Sequence, residues 1–309
     1  MTEEELVATL KAAHWIYPLA NTPLLVFGPK MTKLIKTIRD MLEQDVALRY
    51  GFEEWVFPRM VPDEVLAKTG WLTHHRQEAW LVDPKRDQVF DPDAKGLFPL
   101  KEKFPWEPLP YVLDPIQCVS LYYALYGKTL EHLPLKAFES IGGWSHRHET
   151  APTALTRGIE FLRLELVWIA TEKDAIRIRN EVVGVAAKML ADELNLEIKV
   201  AESDSCFKEP PLEKYVLRNL GELQTLWRSG SIDVVTSCFG LDLELASAGR
   251  SDLLPRRFDI KMDNSSDPLW SGCMGLGLTR IAAAFLVKAG IDPQSWPNRI
   301  RRVFLEGGE

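Results

Sequence analysis

The run Ile159–Ala170, IEFLRLELVWIA, constrains the fold of this chain more than any other stretch. Side chains alternate faces along a strand. Leu162, Leu164, Leu166 and Trp168 then form one wholly apolar face, and Phe161, Arg163, Glu165, Val167 and Ile169 form the other. Apolar residues surround both charges in sequence, which marks a central strand. Charges on a central strand are costly unless paired or liganded. The chain is therefore expected to contain a sheet with one face packed and one face carrying chemistry. An ordinary half-buried strand with its polar face in water is the competing reading.

The segments around this strand supply both of its expected neighbours, helices and further strands. Residues 3–14 read as a short helix, and residues 17–29, with three prolines, as an extended lead-in. Apolar residues recur at helical spacing from Met31 to Arg49, and Gly51 is placed to end that helix. EEWVFP reads as a strand stopped by Pro58. Val119–Tyr126 is a helix with Cys118 at its start, Lys173–Leu194 a long amphipathic helix, and Leu278–Lys288 another. Leu196–Ala201, Ile232–Cys238 and Arg257–Met262 read as strands, while residues 210–230 fit no single assignment. An α+β fold, a mostly antiparallel β-sheet flanked by helices, accounts for this order better than repeated βαβ units. One domain over residues 1–309 is expected. Within it, about 62–110 reads as a surface insertion or lid, because of the polar, proline-rich run DPKRDQVFDPDAKGLFPLKEKFPWEPLP. A solvated loop with no role is the alternative there.

Several function classes are disfavoured at once. The net charge of −7 argues against coating nucleic acid by charge alone, though it leaves room for a local basic groove. No run approaches the length of a membrane span, and the acidic N-terminus does not read as a signal peptide. Cys118, Cys206, Cys238 and Cys273 lie far apart without a CxxC, so no disulfide framework is expected and a reducing cytoplasm is the default location. GLGLTR is not G-x-G-x-x-G, and neither a Walker loop nor G-x-S-x-G occurs.

The chemistry left to the chain sits in scattered residues. Ser271–Arg280, SGCMGLGLTR, reads as a tight strand-to-helix turn: Gly272, Gly275 and Gly277 bracket Cys273, and Arg280 falls on the first turn of a helix. Arg147, Arg157, Arg163 and Arg280 are candidates to clamp phosphates. Cys118, Glu165 and Cys273 would make a three-ligand set for a metal with one open position, if they meet. Spacing does not show that they meet, and a buried thiol is the plainer account of either cysteine.

Four stretches in order carry a resemblance to a known family. GFEEWVFPRMVP, with Pro58, resembles motif 1 of the class II aminoacyl-tRNA synthetase catalytic core. YVLDPIQC, LPLKAF and GWSHRHE resemble the approach to motif 2, and EFLRLELVW resembles its returning strand. LWSGCMGLGLTR resembles motif 3, and IDPQSWP continues the match. Within that class the chain is most similar to the methanogenic-type seryl-tRNA synthetases.

The resemblance implies an ATP-dependent ligase that forms an aminoacyl adenylate. It implies zinc on Cys118, Glu165 and Cys273, holding the amino group of a small amino acid, with serine first and glycine or alanine left open. Arg147 would hold the α-phosphate, and Arg157 and Arg280 the β- and γ-phosphates. Phe161 would stack on adenine, and Glu149 would contact adenine or the amino acid. Arg147, Glu149 and Arg280 are thus the expected catalytic set. Magnesium is expected with ATP, although Asp233–Cys238 departs from the family by lacking the expected glutamate. A homodimer paired through motif 1 is implied as well.

The seryl enzymes carry an N-terminal tRNA-gripping domain, and this sequence starts almost at the core. Stand-alone cores of this kind resemble amino acid:[carrier protein] ligases. The leading expectation is therefore transfer to a carrier-protein phosphopantetheine thiol, with tRNA as the alternative acceptor. A non-catalytic paralogue that senses amino acid or ATP is the third reading.

Overall fold

The computed structural model describes residues 1–82, 111–203, 215–263 and 267–306, and the backbone alone of 88–91 and 96–99. Ile159–Ala170 enters it as strand Glu160–Ala170, in the interior of a nine-stranded sheet. In chain order the strands of that sheet are β1 (Glu53–Glu54), β2 (Leu135–Glu139), β3 (Trp144–His146), β4 (Glu160–Ala170), β5 (Ile198–Ser203), β6 (Arg218–Asn219), β7 (Ser231–Cys238), β8 (Leu241–Ser251) and β9 (Trp270–Gly277). They lie side by side as β6-β5-β7-β8-β9-β4-β2-β1, and β3 pairs with the near end of β4. Every pairing is antiparallel except β1 with β2.

Six of the nine α-helices among the described residues are α1 (Glu3–Ala12), α2 (Pro29–Leu42), α3 (Val119–Ala124), α4 (Glu172–Asp192), α5 (Leu278–Ala289) and α6 (Asn298–Glu306). Their boundaries follow local chemistry. Thr2 and Glu5 form a capping box at the start of α1. Gly28 and Pro29 open α2, where a missing N–H costs nothing. Thr171 caps α4 by accepting from the Asp174 N–H.

The even face of β4 behaves as the alternation predicts. Leu164, Leu166 and Trp168 are buried with Met274 and Leu276 of β9 and Ala246 and Ala248 of β8. Helices α1, α2, α4, α5 and α6 pack their apolar stripes on this side. On the other face, a second cluster covers only one end of the sheet. There Ala137, Val167 and Ile169 meet Val119, Leu121 and Tyr122 of α3, with Val65, Leu66, Trp71, Leu254 and Phe258. Among the described residues, the rest of that face lines a cleft.

Four expectations are corrected. The insertion does not begin at 62: helices Asp63–Thr69 and Trp71–His75 bury Val65, Leu66 and Trp71 in the second cluster, so this part is core. Of the remainder, 88–91 pairs with 96–99 as a hairpin, and most of the polar run lies outside the described residues. Arg257–Met262 is not a strand: helix Leu253–Arg257 runs into it, and only Lys261–Met262 is extended. Within EEWVFP, only Glu53–Glu54 is strand.

The fourth correction concerns Ser271–Arg280. This stretch is no turn: it is strand β9 running directly into α5. Its glycines are there for close packing across the sheet. A Cβ on Gly272 would collide with the Trp168 ring, and one on Gly275 would stand 2.9 Å from Glu165 Oε2 and 3.0 Å from Arg163 Nε.

Candidate functional site

Register across the open face places the chemistry in rows. Glu165 on β4 lies beside Glu139 on β2 and Gly275 on β9, and beyond these come Ser247 on β8 and Asp233 on β7. The next row runs from Val167 through Cys273 and Gly249 to Ser231. Small residues in both rows leave a trough. Its walls close a cleft of about 590 Å³, lined by Cys118, Arg147, Glu149, Phe161, Arg163, Glu165, Cys273 and Arg280 among others.

One end of the cleft gathers sulfur and carboxylate. The ligand atoms of Cys118, Glu165 and Cys273 lie within 4.8 Å of one another, although more than a hundred residues separate the last two in sequence. Cys118 reaches the sheet from the start of α3, after a turn built on Asp114. That carboxylate accepts from the N–H groups of Ile116 (3.1 Å) and Gln117 (3.0 Å), and Gln117 takes a φ of 50°. Such a φ is uncommon for a residue with a Cβ. The Gln117 side chain secures it, donating to Glu139 Oε2 at 2.8 Å and accepting from Arg163 Nε at 3.0 Å. Glu139 in turn holds Arg59 (3.0 Å) and the Phe57 N–H (2.9 Å).

Arg163 shares a face with Glu165, as alternation requires, and stands 2.6 Å from Glu165 Oε2. Its N–H groups point at Gln117 and the Ile116 carbonyl, so Glu165 Oε2 receives no well-directed hydrogen bond and is left buried without one. Burial outweighs Arg163 and pushes the Glu165 carboxyl up to about 7. Burial likewise raises Asp114 to about 6. The Tyr122 phenol beside both thiols is raised by burial and by those neighbours. Two thiols and one buried carboxylate suit zinc, a borderline-soft ion commonly held by three protein ligands with a position open.

The other end gathers arginine and an aromatic ring. Arg280, in the first turn of α5, lies 5.8 Å from the centre of the Phe161 ring. It donates from Nε to the Thr156 carbonyl at 2.7 Å and from Nη1 to the Glu244 carbonyl at 3.2 Å. Arg147 lines the same cleft just past β3. Arg157 stands apart from the other candidates. It does not line the cleft, and reaches its rim through an ion pair with Glu149 at 2.8 Å, with its side chain 53% exposed. So exposed a pair contributes little and separates readily.

Sequence reasoning missed the far wall. Tyr215, Ser231, Asp233, Glu244, Ser247 and Arg250 also line the cleft. Burial and the nearby Glu244 raise the Asp233 carboxyl to about 6, and the Tyr215 hydroxyl donates to it at 3.1 Å. Asp233–Cys238 holds no glutamate, and Glu244 on the next strand lines the cleft 3.8 Å from Arg280. Alternation in LDLELASAGR was the available signal, muted because seven of its ten residues are small or apolar.

Comparison with known proteins gives this geometry its family. Residues 108–288 match the family described as tRNA synthetase class II core domain (G, H, P, S and T). The chain belongs to this family. Type-2 serine–tRNA ligases are similar along nearly all of this class II core: that of Methanopyrus kandleri is 30% identical over 93% of this chain and 57% of the relative, and that of Methanococcoides burtonii 27% over 93% and 59%. The core thus spans a little over half the length of these relatives. Among solved structures, M. kandleri seryl-tRNA synthetase in complex with A. aeolicus tRNASec superposes with a TM-score of 0.79 at 26% identity, over 98% of this chain and 61% of that one. Giardia lamblia prolyl-tRNA synthetase with prolyl-adenylate, at 21% identity and a TM-score of 0.67, shares the fold.

Proposed function

We propose that this class II core activates a small amino acid, serine first, as its adenylate, and hands it to tRNA. The observation that carries the reading is one cleft in which a Cys/Glu/Cys trio and an Arg147/Phe161/Arg280 set face each other over a floor of small residues. Zinc on Cys118, Glu165 and Cys273 would offer its open position to the α-amine of the substrate. Arg163 anchors both the Cys118 turn and Glu165, and so keeps the trio in register.

Activation joins two anions. A substrate carboxylate oxygen bonds to the α-phosphorus of ATP, the bond from that phosphorus to the bridging oxygen breaks, and its electron pair leaves with pyrophosphate. Fixed cations favour that charge build-up. Arg147 is assigned to the α-phosphate, Arg280 to the leaving phosphates and Phe161 to the adenine face. Arg157 joins Arg280 once it releases Glu149, which is then available to the adenine or the amino acid. A carboxylate such as Glu244 beside a phosphate clamp opposes a polyanion unless a cation intervenes, so Glu244 is our assignment for magnesium arriving with ATP.

The acceptor is argued from the type-2 serine–tRNA ligases that this chain is similar to. Nothing in the cleft favours the carrier-protein thiol expected from the sequence, and the comparisons lend it no support. ATP–pyrophosphate exchange with each amino acid in turn tests the activation step. Exchange stimulated by serine or another small amino acid is the expected result, and no exchange with any of them would sink the reading. Loading of tRNA against loading of a phosphopantetheinylated carrier then tests the acceptor, and exclusive loading of the carrier would overturn it.

A further inference from the structure

We propose that Glu3, in the first turn of α1, is a positioning residue for ATP: it fixes the loop that orients Arg280. Glu3 as a whole is only 9% exposed, and its carboxylate reaches across the fold to residues 155–156. It accepts from the Leu155 N–H at 2.7 Å, from the Thr156 N–H at 3.3 Å and from the Thr156 hydroxyl. Leu155 and Thr156 are themselves buried, so water does not replace those contacts. The carbonyl of the same Thr156 accepts from Arg280 Nε. Glu3 and Arg280 therefore grip one residue, Glu3 at the N–H and hydroxyl of Thr156 and Arg280 at its carbonyl.

The grip has consequences for both arginines of the nucleotide end. With Nε held by Thr156, the terminal nitrogens of Arg280 turn toward Glu244 and Phe161. Thr156 also touches the Thr153 hydroxyl at 3.0 Å, which accepts from the Arg157 N–H at 2.9 Å. One carboxylate thus fixes the loop behind Arg157 and the seat of Arg280. None of these contacts reaches Cys118, Glu165 or Cys273, so the effect belongs to the nucleotide and not to the amino acid.

The inference rests on the adenylating reading above, and its test keeps the two apart. Titration of ATP into the protein without turnover, together with exchange kinetics, is measured for Glu3→Ala, Glu3→Gln, Thr156→Val and Thr156→Ser. Glu3→Ala is expected to weaken ATP about tenfold, as small displacements of clamping groups do. The serine KM and the bound metal should stay within about twofold. Glu3→Gln, which keeps an acceptor, and Thr156→Ser, which keeps the hydroxyl, should recover most of the loss, and Thr156→Val should not. The proposal falls if ATP and serine weaken together, or if only the melting temperature drops while ATP binding is unchanged. If Glu3→Ala does not fold, the Thr156 pair decides, and equal ATP affinity in the two overturns the tether. Wild-type protein that binds ATP but exchanges with no amino acid counts against the adenylating reading alone.

Discussion

At the scale of single residues, the site depends on carboxyl groups that burial has shifted. Asp114 titrates near 6 in the folded chain against an ordinary 3.8. The native state therefore keeps its proton where the unfolded chain has lost it. The contribution to stability is fully present below about pH 4 and is lost as pH rises through 6, amounting to about 3 kcal/mol at pH 8. Asp114→Asn retains an acceptor for the Ile116 and Gln117 N–H groups and cannot ionise. Urea melts from pH 4 to pH 8 should show the variant gaining on wild type by about that amount. A constant gap would contradict the assignment. Single residues were also where the sequence said most about chemistry. Arg163 and Glu165 were marked by polarity on an apolar strand, a signal of period two. Cys118 carries no such signal, because its position depends on a turn held by Glu139 and Arg163, both distant in sequence.

Elements were legible where one face is uniformly apolar and obscure where packing is decided elsewhere. β4, α4 and α5 announced themselves by periodicity. β9 did not, because glycines that normally mark a turn are needed there to admit Trp168 and the Arg163–Glu165 pair. Residues 210–230 fitted no single assignment for a related reason. The turn through 226–230 is organised by Arg179 of α4, which is fully buried. Its guanidinium donates to the carbonyls of Trp227 (2.7 Å), Gly230 (3.3 Å) and Ser229, and burial pulls it down to about 10. A contact spanning some fifty residues leaves no local pattern. Arg179→Met should cost roughly 1–3 kcal/mol by leaving those part-buried carbonyls without their donor. Because this turn leads into β7, hydrogen exchange should rise first at 226–238. Unchanged stability would show that water replaces the guanidinium.

For the molecule as a whole, the order of motifs was the legible part and the acceptor the illegible one. The proposed activation is local to one cleft, and the residues assigned to it line that cleft or its rim. Delivery depends on surfaces beyond the cleft, and the chain spans only 57% of the M. kandleri relative. Assembly belongs to the same scale. Val56, Met60 and Ile141, which follow β1 and β2 in the chain, are 66%, 48% and 65% exposed. Isolated apolar residues on a surface need no explanation, whereas a contiguous patch marks an interface. The homodimer paired through motif 1 that the resemblance implies is tested at this β1 edge of the sheet. Light scattering should give twice the mass of one chain, and Val56→Glu should shift it toward the monomer. A monomeric wild type at micromolar concentration would contradict the inference.

The central claim is that a metal-held amine and an arginine-clamped ATP meet in one cleft. It is tested most directly by serine-dependent ATP–pyrophosphate exchange on protein stripped of metal and then returned to zinc. Exchange should vanish with the metal and return with about one zinc per chain, as a three-ligand site with one open position requires. Cys273→Ser should lose both the bound zinc and the recovery. Exchange that persists at full rate in metal-free protein, or zinc retained at full occupancy by Cys273→Ser, would contradict it.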